Sequence, residues 1–210
     1  MLLAMQSWAQ TPCSGVGVEV ETYAVHDYPS GDPLESLNGL TTYRLYLTVA
    51  AGTDFVSAIA GSEDFPLSIT TSTSFYQTPV ASVLTGGEVN PGFLGAFPAL
   101  EYDSWVTIGR SLSTDPGASI NTIAGLVDWI AAFEGGSSIE INDPVGGGWF
   151  ALNGDVNGIA GDDLKVLIGQ FTTDGVFSGS VFAQIFPNSV GADEFRCTIP
   201  FDAVVEIAGC

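Results

Sequence analysis

Tyr43-Arg44-Leu45-Tyr46-Leu47-Thr48-Val49 is the stretch that decides the fold. Tyr43, Leu45, Leu47 and Val49 fall on one side of an extended chain, and Arg44, Tyr46 and Thr48 on the other. That period of two is what a strand with one dry face produces; a helix would scatter the same residues around its circumference. Upstream, Val16, Val18 and Val20 alternate with Gly17, Glu19 and Glu21, a second strand with one apolar and one acidic face. Short runs rich in β-branched and aromatic residues recur at 55–59, 67–71, 105–110, 139–141, 149–152, 165–171, 176–186 and 195–199. Ser30-Gly31, Asn38-Gly39, Gly86-Gly87, Asn90-Pro91 and Asp174-Gly175 supply turns between them. The pattern predicts an all-β, single-domain antiparallel β-sandwich of roughly 9 to 12 strands. Asp174-Gly175 is expected to close a hairpin between 165–173 and 176–186 through a primed turn. One short helix is expected over 121–133. There Ile123, Leu126, Val127, Ile130 and Phe133 recur at helical spacing, with Asn121 or Thr122 as cap and Gly135 as stop.

Charge narrows the function. The 210 residues carry 24 acidic side chains against 4 basic ones, a formal net charge of −20. Arg44, Arg110, Lys165 and Arg196 are the whole basic complement. Counterion release on nucleic acid needs several cations on one face, and adsorption to an anionic membrane needs the same. Both partner classes are excluded on that ground. No stretch approaches the ~20 apolar residues of a membrane span, so membrane insertion is not expected either. A self-repelling, salt-tolerant surface remains.

Residues 1–10 read as the remnant of a secretory signal, apolar and ending in a small residue before Thr11-Pro12, which leaves 11–210 as the sandwich domain. Three cysteines, Cys13, Cys197 and Cys210, then point to one disulfide and one leftover thiol. The spacing of Cys197 and Cys210 suits neighbouring strands of a hairpin, with Cys13 free or intermolecular; Cys13–Cys210 is the rival pairing. A chain ending on Cys210 is also expected to be part of a longer one.

Residues 154–164, from Gly154-Asp155-Val156-Asn157-Gly158 to Asp162-Asp163-Leu164, are the closest approach to a chemical motif. The opening resembles the calcium loop of dockerins, but Ile159 stands where a third ligand belongs and Val166 falls at the closing carboxylate position. Dockerin identity is therefore rejected. A non-standard calcium site built from Asp155, Asn157, Asp162 and Asp163 stays open, since hard cations take six to eight oxygens from flexible loops. Its competitor is an ion-free Asn/Asp/Gly turn. His26 is the sole histidine, which excludes multi-histidine metal sites, and no Gly-x-Ser-x-Gly elbow accompanies it. Gly146-Gly147-Gly148 precedes a strand, not a helix, and so is no phosphate cradle. Trp105, Trp129 and Trp149 read as core. Tyr43, Tyr46, Phe75, Tyr76 and Tyr102 are the aromatics that exposure would turn into a sugar platform.

Thr42-Tyr43-Arg44-Leu45-Tyr46, the run 102–109 and Gly148-Trp149-Phe150 with Lys165-Val166-Leu167-Ile168 together resemble exported bacterial β-rich surface proteins. That resemblance implies a secreted, extracellular or cell-surface location. With no catalytic motif, the leading expectation is a non-enzymatic structural protein, a subunit of a surface layer, fibre or adhesin. It would self-associate through strand edges, with the strand at 16–25 beside Cys13 as the exchange element. A calcium-assisted carbohydrate-binding module is the alternative, with glycans as partners. A secreted glycoside hydrolase using a carboxylate pair is the third reading.

Overall fold

A computed structural model describes residues 13–203. The expected secretory remnant and Cys210 lie outside them. Among the described residues eleven strands form two antiparallel sheets. The first sheet runs in the order β1 (Gly17–Val25), β2 (Thr41–Thr48), β9 (Lys165–Thr173), β5 (Trp105–Val106). The second runs β6 (Asn121–Ile123), β8 (Gly147–Phe150), β3 (Phe55–Gly61), β10 (Phe177–Phe186), β4 (Leu67–Thr71), β7 (Ile139–Ile141). In this sheet β3 and β4 lie end to end along one side of β10, and β11 (Phe195–Asp202) occupies the other side. The architecture is an all-β sandwich, as the alternating pattern implies.

The alternation of Tyr43, Leu45 and Leu47 puts one face of β2 against the second sheet. There they join Val56 and Ile59 of β3, Phe177, Val181, Ala183 and Ile185 of β10, and Ile199 and Phe201 of β11 in one apolar core. Phe177 ties much of this together, with its ring beside those of Tyr43, Phe75, Phe171 and Phe201. The strand β9 differs from the rest because both of its faces are covered. Val166, Ile168 and Phe171 enter the main core, while Leu167 packs with Trp105, Val83, Val89 and Leu100 in a second cluster on the outer side. Leu45 pairs with Gly169 and Tyr46 with Leu167, so Ile168 is the extra residue of a bulge that re-aims the strand. The outer cover comes from residues 83–105, which carry the short helix α1 (Pro91–Leu94) and two 3-10 turns.

Three local expectations are corrected. The helix begins at Trp129, not near 121: α2 is Trp129–Glu134, capped by the Asp128 carboxylate on the Ala131 N–H at 3.1 Å. Asn121–Ile123 pairs with β8 instead, and Gly125 at φ +81° turns the chain. Asp143 Oδ2 then holds the Leu126 and Val127 N–H groups in that turn at 3.0 and 3.2 Å. Ile123, Leu126 and Val127, three of the five residues behind the helical pattern, point to solvent. The Asp174-Gly175 hairpin does not form either. Strands β9 and β10 belong to different sheets, and Gly175 lacks the positive φ that a primed turn requires. Its site is walled by Thr71 and Thr73, whose hydroxyls bond Thr173 at 2.7 and 3.1 Å and steer the chain across the sandwich. The strand expected over 105–110 stops at Val106, because Gly109 at φ +75° turns the chain under the 154–164 loop.

A Cβ at Gly109 would sit 1.8 Å from the Asn157 carbonyl oxygen, on a backbone already in the left-handed region. Gly109→Ala should therefore cost roughly 3 kcal/mol or more in chemical denaturation. Gly95→Ala, where a Cβ meets nothing within 4 Å and φ is −66°, should change stability by about 0.5 kcal/mol or less. Equal losses at the two sites would contradict this account.

Candidate functional site

The segment after β4 is pinned at two points and bows out between them. Phe75 N–H donates to Gly136 O and Tyr76 N–H to Thr172 O, at 2.8 and 2.7 Å. The chain rejoins the first sheet where Val106 N–H donates to Leu84 O at 3.0 Å. Between these pins, Gln77, Thr78, Pro79, Val80, Ala81 and Ser82 face Glu134, the last residue of α2, across an open cavity of about 310 Å³. Gln77 is held by its Nε2 on Phe133 O at 3.0 Å, and the Ser82 hydroxyl donates to Glu134 Oε2. Glu134 Oε1 is buried with no partner among the described residues.

Asp103 lies behind this wall. It is 0% exposed, and its Oδ1 accepts the Thr78 N–H at 2.7 Å while Oδ2 has no partner among the described residues. Burial pushes its carboxyl up to about 7; the N–H groups of Thr78 and Ser104 oppose the rise, and the charge of Glu134 adds to it. The region thus holds two carboxyls with unequal roles. Glu134 borders the cavity and can meet a ligand, whereas Asp103 is sealed beneath the Thr78 backbone and cannot touch one. The paired-carboxylate geometry of glycoside hydrolysis needs both groups open to one sugar ring, and this pair does not supply it. The cavity can do simpler chemistry: Gln77, Thr78, Ser82 and Glu134 present polar groups suited to hydroxyls.

The sequence-derived candidates have the following surroundings. Asn157 is buried and turned inward, its Nδ2 donating to Ile108 O at 2.7 Å, so it latches its loop to the turn at Gly109. Asp155 accepts the Leu152 N–H at 3.3 Å, and Asp162 and Asp163 are exposed. Among the described residues no group of three or more His, Cys, Asp or Glu side chains is gathered where a metal ion could be held. His26 is buried in a hydroxyl relay. Its Nε2 lies 2.8 Å from Thr42 Oγ1, which lies 2.7 Å from Thr172 Oγ1, and Thr172 donates to Tyr102 O at 2.6 Å. Burial lowers its pKa and so favours the neutral ring. Cys197 is buried on β11, and the Cys13 thiol lies on the carbonyl of its neighbour Thr198.

Trp105, Trp129 and Trp149 are core residues, with Trp149 Nε1 donating to Thr107 O at 2.9 Å and Trp129 Nε1 to Ile123 O at 2.8 Å. Tyr43 and Phe75 are buried, and Tyr46 is half-covered by Lys165, whose Nζ sits 4.4 Å from the ring centre. Glu134 and Asp103 could not be singled out from sequence, since nothing in their spacing distinguishes them from the other acids. A weak signal existed for Asp103, which stands beside the apolar run starting at Trp105.

Asp103 makes stability pH-dependent with a definite sign. Its folded-state value near 7 exceeds the ordinary 3.8, so the folded protein holds a proton that the unfolded chain releases. Its contribution is greatest below about pH 4 and declines as pH rises toward 7, by up to roughly 4 kcal/mol. In urea denaturation at pH 5 and pH 8, Asp103→Asn should remove most of that difference. A variant with the wild-type pH dependence would refute the assignment.

No helix among the described residues is long and apolar enough to cross a membrane. No protein family, curated protein or solved structure matches this chain.

Proposed function

We propose that the chain is a non-enzymatic extracellular structural protein, a subunit of a cell-surface layer, fibre or adhesin that assembles through strand edges. The observation that carries this reading is β1. It is nine residues long and pairs with β2 on one side, and no described strand pairs with its other side. A strand of that length with a row of unpaired N–H and C=O groups is a template for a second chain. The bulge between Thr22 and Ala24 twists one end of it away, leaving 17–22 as the regular part. A second feature points the same way. At the β6 edge, Ile123, Leu126, Val127 and Val145 are exposed together, and Asp143 draws their loops into one apolar patch on an otherwise acidic surface.

Electrostatics sets the condition for assembly. Subunits of charge −20 repel one another until salt shortens the range of the field from about 30 Å at 0.01 M to about 8 Å at 0.15 M. Sedimentation velocity should show association strengthening by about tenfold or more between roughly 0.02 and 0.5 M salt. Hydrogen exchange on the associated form should show new protection within 17–22. A monomer at every ionic strength up to millimolar concentration, or protection confined to other segments, would overturn the proposal.

A carbohydrate-binding role is the second reading, favoured by the polar lining that Gln77, Thr78, Ser82 and Glu134 give the open cavity. It predicts retention on a polysaccharide matrix that Glu134→Ala abolishes while leaving Tm within about 3 °C. Absence of retention on a broad glycan panel would dismiss it.

A further inference from the structure

Two cysteines far apart in the chain are brought together where the first strand meets the last. Residues 13–16 form a turn closed by the Val16 N–H on Cys13 O at 3.2 Å, and β1 then lies against β11. Cys13 Sγ donates to Thr198 O at 3.6 Å and packs on the main core. Cys197, the residue before Thr198, is an inward-facing member of that core and is 1% exposed. Cys13 thus lies against the backbone of the residue next to Cys197 and packs on the core cluster that contains the Cys197 side chain. Neither hairpin spacing nor position at a chain end marks this pair.

We propose that Cys13 and Cys197 form an intramolecular disulfide that clamps the leading end of β1 to β11. Their exposures set the order of events. Cys13 is partly accessible, whereas burial and the neighbouring thiol hold the Cys197 thiol well above its ordinary range and thus protonated. The oxidant is a low-molecular-weight disulfide such as oxidised glutathione. The Cys13 thiolate attacks one of its sulfurs, forming a mixed disulfide and expelling the first glutathione thiolate. Cys197 then loses its proton and attacks Cys13 Sγ, expelling the second. Two protein thiols surrender two electrons and two protons, and one glutathione disulfide becomes two glutathione thiols. The bond takes Cys13 out of intermolecular exchange, so β1 would offer only its backbone edge to another subunit.

The basic residues make the test selective. Complete tryptic cleavage at Arg44 and Arg196 places Cys13 in 1–44, but Cys197 and Cys210 share 197–210. The experiment therefore uses the full chain carrying Cys210→Ser, oxidised with glutathione disulfide and mapped without reduction. The expected product is 1–44 joined to 197–210, two hydrogens lighter than the separate thiol peptides, from protein that forms no covalent dimer. Reduction should lower Tm by roughly 5–15 °C in both wild type and Cys210→Ser. In Cys13→Ser, which changes only a partly exposed thiol, reduction should leave Tm unmoved. Four results would each overturn the proposal: a redox-dependent Tm that survives Cys13→Ser, one that vanishes in Cys210→Ser, cross-linked dimers, or Cys13 and Cys197 both still open to alkylation after oxidation and unfolding.

Discussion

Covering β9 on both faces is the constraint to which the rest of the structure answers. A strand with no wet side must place every polar group against protein, because a buried, unpaired donor or acceptor costs about 1–3 kcal/mol. Gln170 meets that demand with one amide. Its Nε2 donates to the carbonyls of Glu101 and Asp103 at 2.9 Å each, and its Oε1 accepts Arg44 Nε at 3.0 Å. Thr172 does the same through its backbone N–H on Ser104 Oγ and its hydroxyl on Tyr102 O. These bonds fasten residues 101–104 to the first sheet. The same layer brings Trp105 and Leu100 over Leu167, and it buries Asp103. The raised carboxyl of Asp103 thus follows from sealing the outer face of β9.

The four cations are spent locally. Arg44 stacks on the Tyr23 ring at 3.7 Å, Lys165 pairs with Glu19 across the first sheet, and Arg196 pairs with Glu194. Arg110 is buried with its guanidinium on Ser113 O at 2.8 Å. Exposed pairs of this kind add at most about 1 kcal/mol each. They neutralise little of the surface field, so the acidity acts between molecules more than within one.

Strands that are apolar within and wet without were legible in the sequence, and so was β9, whose start at Lys165 matches its apolar run. Leu67–Thr71 and Ile139–Ile141 match their alternating runs residue for residue. Legibility failed where tertiary contacts override local pattern. Ile123, Leu126 and Val127 carry helical spacing but make no helix, because the Asp143 carboxylate and the pairing with β8 claim their backbone. Asp174-Gly175 has hairpin chemistry but serves a change of sheet. The candidate site was the least legible part. Thr78, Asp103 and Glu134 lie on three separate segments, and only the wrapping of residues 77–104 over the sheet brings them together. The meeting of Cys13 with Cys197 has the same origin.

The contact between β1 and β11 reaches beyond the static fold to the order of synthesis. Sheet pairings such as β2 with β9 and β3 with β10 already join segments from opposite halves of the chain. Contacts this non-local slow folding, since loop-closure entropy must be met before any of them forms. A nascent chain leaving a ribosome or a translocation pore releases β1 well before β11. The earlier strand β1 must wait, without its neighbour β11, while roughly 170 residues between them emerge. Through that interval Val16, Val18 and Val20 lack part of their eventual cover. The glutamates between them are then the strand's own protection against premature pairing with another nascent chain.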